Sequence, residues 1–215
     1  MLTRRLVCAT GLAVCGAGAR AGPGIPDRKN LSFQIMRNGA RIGTHEVGFS
    51  TSGDTMTASI AVEMSIGWGP IRFFRYRLHA VEIWKGGAFV SLEARTDDDG
   101  EPAFCIMHRT ATSVLVSGSK APDYAAPSSA LPATHWNVAE LKGAMVNPEN
   151  GKLYQPAVSD LGPGTVMLAS GLALPAHHYA LRGTDPLDLW YDAQNTWAGL
   201  SAVVKDGSTL VYERA

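Results

Sequence analysis

Between Thr55 and Ile66, apolar residues recur at every second position. Met56, Ala58, Ile60, Val62, Met64 and Ile66 fall on one side. Thr55, Thr57, Ser59, Ala61, Glu63 and Ser65 fall on the other. Successive side chains of a β-strand point to opposite faces, so a period of two predicts a strand. One of its faces is buried and one is wet, as in an antiparallel sheet. The run also exceeds the usual ~5–6 residues of a strand.

The pattern continues on both sides. Leu31, Phe33 and Ile35 alternate with Ser32, Gln34 and Met36. Asn38-Gly39 then supplies the two positive-φ residues of a tight hairpin, and Ile42 to Phe49 returns to Ser52-Gly53-Asp54. After a break at Gly67–Pro70, Arg72 to Trp84 places Phe74, Tyr76, Leu78, Ala80 and Trp84 on one face. Arg75, Arg77 and His79 lie opposite, beside Phe73, Val81 and Ile83. Lys85-Gly86-Gly87 turns into Ala88–Thr96, and Asp97–Gly100 turns into Pro102–Arg109 and Ser113–Gly118. Long antiparallel strands twist and coil. The expected fold is therefore all-β: a long-stranded antiparallel meander curled into a half-open or closed barrel.

Ser119 to His135 carries Pro122, Pro127 and Pro132 and reads as a Pro-rich surface insertion, a candidate lid. Asn137-Val138-Ala139-Glu140 has capping-box spacing, with Val138, Leu141 and Met145 at helical intervals. It predicts one short helix of about nine residues, stopped by Asn147-Pro148. Strands resume over Leu153–Ser159, Thr165–Leu168, Ala176–Leu181, Leu187–Asp192, Trp197–Lys205 and Thr209–Arg214. Gly162-Pro163-Gly164 reads as a turn and Asp206-Gly207 as a hairpin.

The first 21 residues do not suit this sheet. A basic start at Arg4-Arg5, a mild apolar run and a small-residue end at Ala19-Arg20-Ala21 make the three-part plan of an export signal. The paired arginines resemble a twin-arginine signal. Leu12-Ala13-Val14-Cys15 resembles a lipoprotein processing box, but Val14 stands where a small residue belongs, which argues against anchoring at Cys15. The expected layout is a signal over 1–21, a flexible Gly/Pro-rich segment over 22–30, and a single β domain over 31–214 with the insertion at 119–135. Its destination is the periplasm.

Charge supports no nucleic-acid partner. The chain carries 19 basic and 19 acidic residues, and loss of Arg4, Arg5 and Arg20 with the signal makes it slightly acidic. That loss also removes Cys8 and Cys15, so Cys105 remains alone and reads as a buried, inert thiol on a strand. A membrane β-barrel is disfavoured because bulky apolar groups occupy both faces of Arg72–Trp84 and the chain ends in Ala215.

Catalytic and metal motifs were sought through His45, His79, His108, His135, His177 and His178. None is paired at zinc-site spacing, and His177 and His178 point to opposite faces of a strand. Asp97-Asp98-Asp99 lacks the donor spacing of a calcium loop and reads as a solvated turn. Neither a Gly-x-Ser-x-Gly elbow nor a phosphate-binding glycine loop is present. No catalytic residue, metal or cofactor is expected. Aromatic residues remain as candidate ligand contacts: Tyr76 and Trp84 on one long strand, and Trp190 in Trp190-Tyr191-Asp192.

Ile42-Gly43-Thr44-His45, the run Tyr76–Trp84, Arg95–Gly100 and Leu187–Asp192 together resemble an uncharacterised exported domain family of Gram-negative bacteria. The resemblance implies a fold and a compartment but no catalytic residues. At the level of long curved strands and a short helix, the chain is also similar to the half-barrels of periplasmic lipoprotein carriers.

The leading functional expectation is a periplasmic, non-enzymatic binding module for an apolar ligand or lipidated partner, contacted by Tyr76, Trp84 and Trp190. An envelope structural or assembly protein is the alternative. A hydrolase or isomerase with spatially assembled groups is the third reading.

Overall fold

A meander of long strands dominates the computed structural model, which describes residues 30–68 and 71–215. The expected export signal and most of the 22–30 segment lie outside these residues. The first eight strands are β1 (Asn30–Arg37), β2 (Ala40–Ser52), β3 (Thr55–Trp68), β4 (Ile71–Lys85), β5 (Ala88–Asp98), β6 (Glu101–Arg109), β7 (Ser113–Gly118) and β8 (Ala121–Pro127). The short pieces β9 (Leu131–Pro132), β10 (Met145–Val146) and β11 (Leu153–Tyr154) follow. The chain then forms β12 (Ala157–Met167), β13 (Ala173–Arg182), β14 (Leu187–Tyr191), β15 (Trp197–Val203) and β16 (Thr209–Arg214).

The protein is all-β. Thirteen strands form one sheet in the order β12-β13-β14-β15-β16-β1-β2-β3-β4-β5-β6-β7-β8. Each pair of neighbours in it runs antiparallel. Two meanders are joined where the C-terminal β16 pairs with the N-terminal β1, Phe33 opposite Arg214. The sheet does not close, since β8 and β12 are its two edges. Its concave face is the apolar one: Phe33, Ile35, Val47, Ala58, Ile60, Leu78, Trp84, Leu92 and Met107 are all buried there.

Local chemistry accounts for the turns. Asn38 and Gly39 adopt φ of 49° and 81°, the two-residue hairpin their side chains allow. Asp97 receives the Gly100 amide at 2.8 Å and Arg75 Nη2 at 2.6 Å, so the aspartate run is a turn tied to β4.

Three expectations change. Gly162-Pro163-Gly164 is not a turn but the middle of β12, where a bulge lies between Asp160 and Gly162. An edge strand tolerates a proline because one side of its backbone has no ladder partner. The helix is a single 3₁₀ turn, Val138–Lys142, rather than nine residues. Gly143 is extended, and the chain must straighten there so that β10 can pair with both β9 and β11. The Pro-rich insertion is not a surface connection. Ala121–Pro127 pairs with β7, and the following residues Ala130, Pro132, Thr134 and Trp136 are buried.

That last change decides the interior. From Ser128 to Pro156 the chain crosses the concave face and fills it. Trp136 packs edge-on against Phe49 of β2 and Trp84 of β4, with ring centres 5.1 and 5.3 Å away. Arg109 fastens the entry of this segment, donating from Nε to Phe89 O and from its terminal nitrogens to Ser128 O and Ala130 O.

Candidate functional site

The tripeptide Thr134-His135-Trp136 is held between two buried carboxylates. Glu82 lies on the inward face of β4 and is fully buried. Its Oε1 accepts from Thr134 Oγ1 at 2.6 Å and Trp136 Nε1 at 3.1 Å, and its Oε2 accepts from Trp84 Nε1 at 2.8 Å. Among the described residues Glu82 has no cationic partner. Burial raises its pKa to about 7, against the pull of the three donors, and the negative charge of Glu140 adds to the rise. Glu82 is thus a group that can hold a proton near neutrality.

Glu140 sits on the 3₁₀ turn, with Asn137 capping that turn through Oδ1 to the Ala139 amide at 3.0 Å. The second half of the capping box is displaced, because Glu140 reaches past Asn137 to His135. Its Oε2 accepts the His135 amide at 2.9 Å, and its Oε1 lies 2.7 Å from His135 Nδ1. Tyr191 of β14 donates its hydroxyl to His135 O at 2.9 Å. His135 is therefore gripped at its amide, carbonyl and ring, and it has a φ of 66°. A non-glycine residue in that region persists only where its surroundings hold it.

His45 of β2 completes the interior. Its ring lies among Trp197, Tyr212 and Phe33, with centres 5.0, 5.8 and 6.1 Å away, and its Nε2 has no hydrogen-bond partner. Burial, with a smaller contribution from His135, lowers its pKa to about 3. At neutral pH it is an uncharged core residue.

A histidine oriented by a buried carboxylate is half of a catalytic relay. The other half is missing among the described residues, where no serine, threonine or cysteine hydrogen-bonds His135. No three His, Cys, Asp or Glu side chains among them are grouped to hold a metal. The arrangement as a whole clamps one segment of chain against a sheet.

The three aromatic candidates do not converge. Trp84 is buried beside Phe89 and Trp136. Trp190 points away from that core and stacks on His178 at 4.4 Å, against the small cluster Val166, Ala176 and Ala198. Tyr76 is half-buried at the rim, where it lines a surface cleft of about 280 Å³. The adjacent histidines part as the strand period requires: His177 meets Asp160 at 2.5 Å and His178 meets Asp188 at 3.2 Å. Cys105 is fully buried, and burial raises its thiol to about 12.

None of Glu82, Glu140, His45 and Thr134 is a site candidate in the sequence: His45 reads there as an ordinary histidine and Glu140 as part of a capping box. A signal existed for Glu82. Glu82 shares strand parity with Leu78, Ala80 and Trp84, and a carboxylate on an apolar face needs hydrogen-bond donors. Thr134 and Glu140 carried no comparable signal.

The family described as a domain of unknown function, DUF6134, matches residues 33–215. The chain belongs to that family. No curated protein matches the chain. Among solved structures, this DUF6134 domain is similar to a beta-barrel-like protein of domain of unknown function DUF1849 from Brucella abortus. The TM-score is 0.59 at 9% identity, over 86% of this chain and 94% of that one. At such identity the likeness concerns the fold alone. Among the described residues, no helix is long and apolar enough to cross a membrane.

Proposed function

We propose that the protein is an exported, non-enzymatic binding module of the cell envelope, which takes up an amphiphile or the lipid of a lipidated partner. The observation that carries this reading is the way the concave face is covered. A half-open sheet presents an apolar inner face, and the chain that covers it has almost no regular structure of its own. That chain is tied to the sheet by hydrogen bonds to Glu82 and from Tyr191, while Glu140 braces His135 from within the cover itself. The strands of the cover, β9, β10 and β11, pair with one another and not with the thirteen-stranded sheet, so its displacement breaks no ladder of that sheet. An apolar chain that displaced Trp136 would meet Phe49, Trp84 and Phe89.

A second reading, an envelope assembly protein, draws on the convex face. Phe104, Ile106 and Leu115 of β6 and β7 are 40–50% exposed there. Exposed apolar patches of that kind mark contact surfaces.

Native mass spectrometry of the protein purified from the periplasm without detergent separates the two. A stoichiometric adduct extractable into organic solvent is the expected result. A bare mass, unchanged after incubation with envelope lipids, overturns the first reading in favour of the second.

A further inference from the structure

The pairing of β2 with β3 stops at Gly43–Met64, whereas β3 and β4 remain paired as far as Trp68–Ile71. A bulge on β2 lies at the same level. Ile35 of β1 pairs with Gly43 and Met36 pairs with Arg41, which leaves Ile42 as the extra residue. The two strands touch just before they part: a Cβ at Gly43 would stand 2.0 Å from the Glu63 carbonyl oxygen. Beyond that point the β1–β2 hairpin and the β3–β4 ribbon diverge, and the cleft of about 280 Å³ opens between them. Bulges at sheet edges and rims commonly re-aim side chains or end pairing in this way.

The cleft sets guanidinium groups at its outer mouth beside an apolar inner wall. Arg41 contributes from β2, and Arg75 and Arg77 from β4, against Glu63 in the lining; Met64 and Tyr76, on the opposite face of β3 and β4 and packed against the core, supply the apolar wall. Arg75 is partly occupied, with Nη2 2.6 Å from Asp97 Oδ2. Arg77 is held loosely, with Nε 3.8 Å from Glu63 Oε1. Arg41 makes no ion pair among the described residues. A guanidinium presents a planar fork of donors that matches a carboxylate or phosphate.

We propose that this split-sheet cleft binds the anionic group, phosphate or carboxylate, of an amphiphile whose apolar body lies against Met64 and Tyr76. The inference rests on the amphiphile reading above and adds the class of head group. Arg41 is the principal contact because no carboxylate competes for it. Arg77 joins by exchanging its long contact with Glu63 for the ligand.

The test is calorimetric titration of the periplasmic protein with three separate probes: dodecyl phosphate below its aggregation concentration, inorganic phosphate, and dodecyl maltoside. The expected result is one site at which dodecyl phosphate binds at least about 10-fold tighter than either other probe. Arg41→Gln and Arg77→Gln should each weaken dodecyl phosphate by about 10-fold and leave dodecyl maltoside unchanged. Both side chains are exposed, so unchanged melting temperatures verify that the variants are folded. Inorganic phosphate binding as tightly as dodecyl phosphate identifies a free-anion site and overturns the amphiphile assignment. Dodecyl maltoside binding as tightly as dodecyl phosphate, with both variants unaffected, overturns the anion site while the apolar-ligand reading survives. Failure of every probe, together with a bare native mass, sinks both.

Discussion

Glu82 Oε1 accepts a hydrogen bond from Trp136 Nε1 at 3.1 Å, joining two residues 54 positions apart in the middle of the concave face. The bond links a carboxylate that has no cation to the largest side chain of the covering segment. Much of the behaviour of the molecule with pH should follow from it.

The pKa of Glu82 is raised from 4.5 to about 7 in the folded protein, so between these values the native state binds more protons than the unfolded one. Its contribution is therefore fully present below pH 4.5 and is lost as pH rises through 7, amounting to about 3 kcal/mol at most. His45 acts with the opposite sign. Its pKa falls from 6.5 to about 3, so its contribution is present above pH 6.5 and is lost as pH falls toward 3, at most about 5 kcal/mol. Between pH 4.5 and 6.5 the two slopes oppose one another. Urea melts of His45→Phe across pH 4–8 should expose the falling slope of Glu82 alone. Adding Glu82→Gln should flatten it, and a slope that persists in the double variant would refute the assignment.

Arg214 and Asp192 form a buried ion pair. Arg214 Nη1 donates to Asp192 Oδ2 at 2.9 Å and to Trp197 O at 3.1 Å, while Asp192 Oδ1 accepts the Thr196 amide at 2.9 Å. Arg214→Leu leaves a buried carboxylate without its cation and should cost about 3–5 kcal/mol in equilibrium unfolding. Replacing both, as Arg214→Leu with Asp192→Asn, should recover part of that loss. No recovery would mean that Arg214 acts through packing alone.

Trp136→Ala tests whether the covering segment is separable from the sheet. Loss of a buried tryptophan costs about 3–5 kcal/mol if the cover and the sheet unfold together. If the cover opens by itself, amides from Ala130 to Val146 should exchange with deuterium faster in the variant, while those of β2 to β5 stay protected. Uptake spread evenly over both regions would show one cooperative unit, and displacement of the cover by a ligand would then be ruled out.

Cys105 should be chemically silent. In a chain beginning at Gly22 it is the sole thiol, fully buried and raised to about 12. A thiol-reactive chromophore at pH 8 should label it only after denaturant is added, because the thiolate is the reacting species. Prompt labelling of the native protein would place Cys105 at an opening of the sheet.

The strands and their turns were legible because they depend on neighbours in the chain. Alternation along Thr55–Ile66 requires only that one face be dry, and Asn38-Gly39 and Asp206-Gly207 turn for reasons contained in their own backbones. The long strands also implied curvature, since twist accumulates with length. Tertiary structure alone decided what lies inside the curve. The insertion at 119–135 carries the prolines and small residues of a loop, and nothing local shows that Trp136, which follows it, will meet a carboxylate on β4. The burial of Glu82 is affordable only because Thr134, Trp136 and Trp84 arrive together as donors, two of them from a segment more than fifty residues away. The split of β2 from β3 is likewise a matter of how whole strands pair, and it lies beside one extra residue, Ile42, measured against β1. The face a side chain takes is a property of its strand; its partner is a property of the assembled sheet.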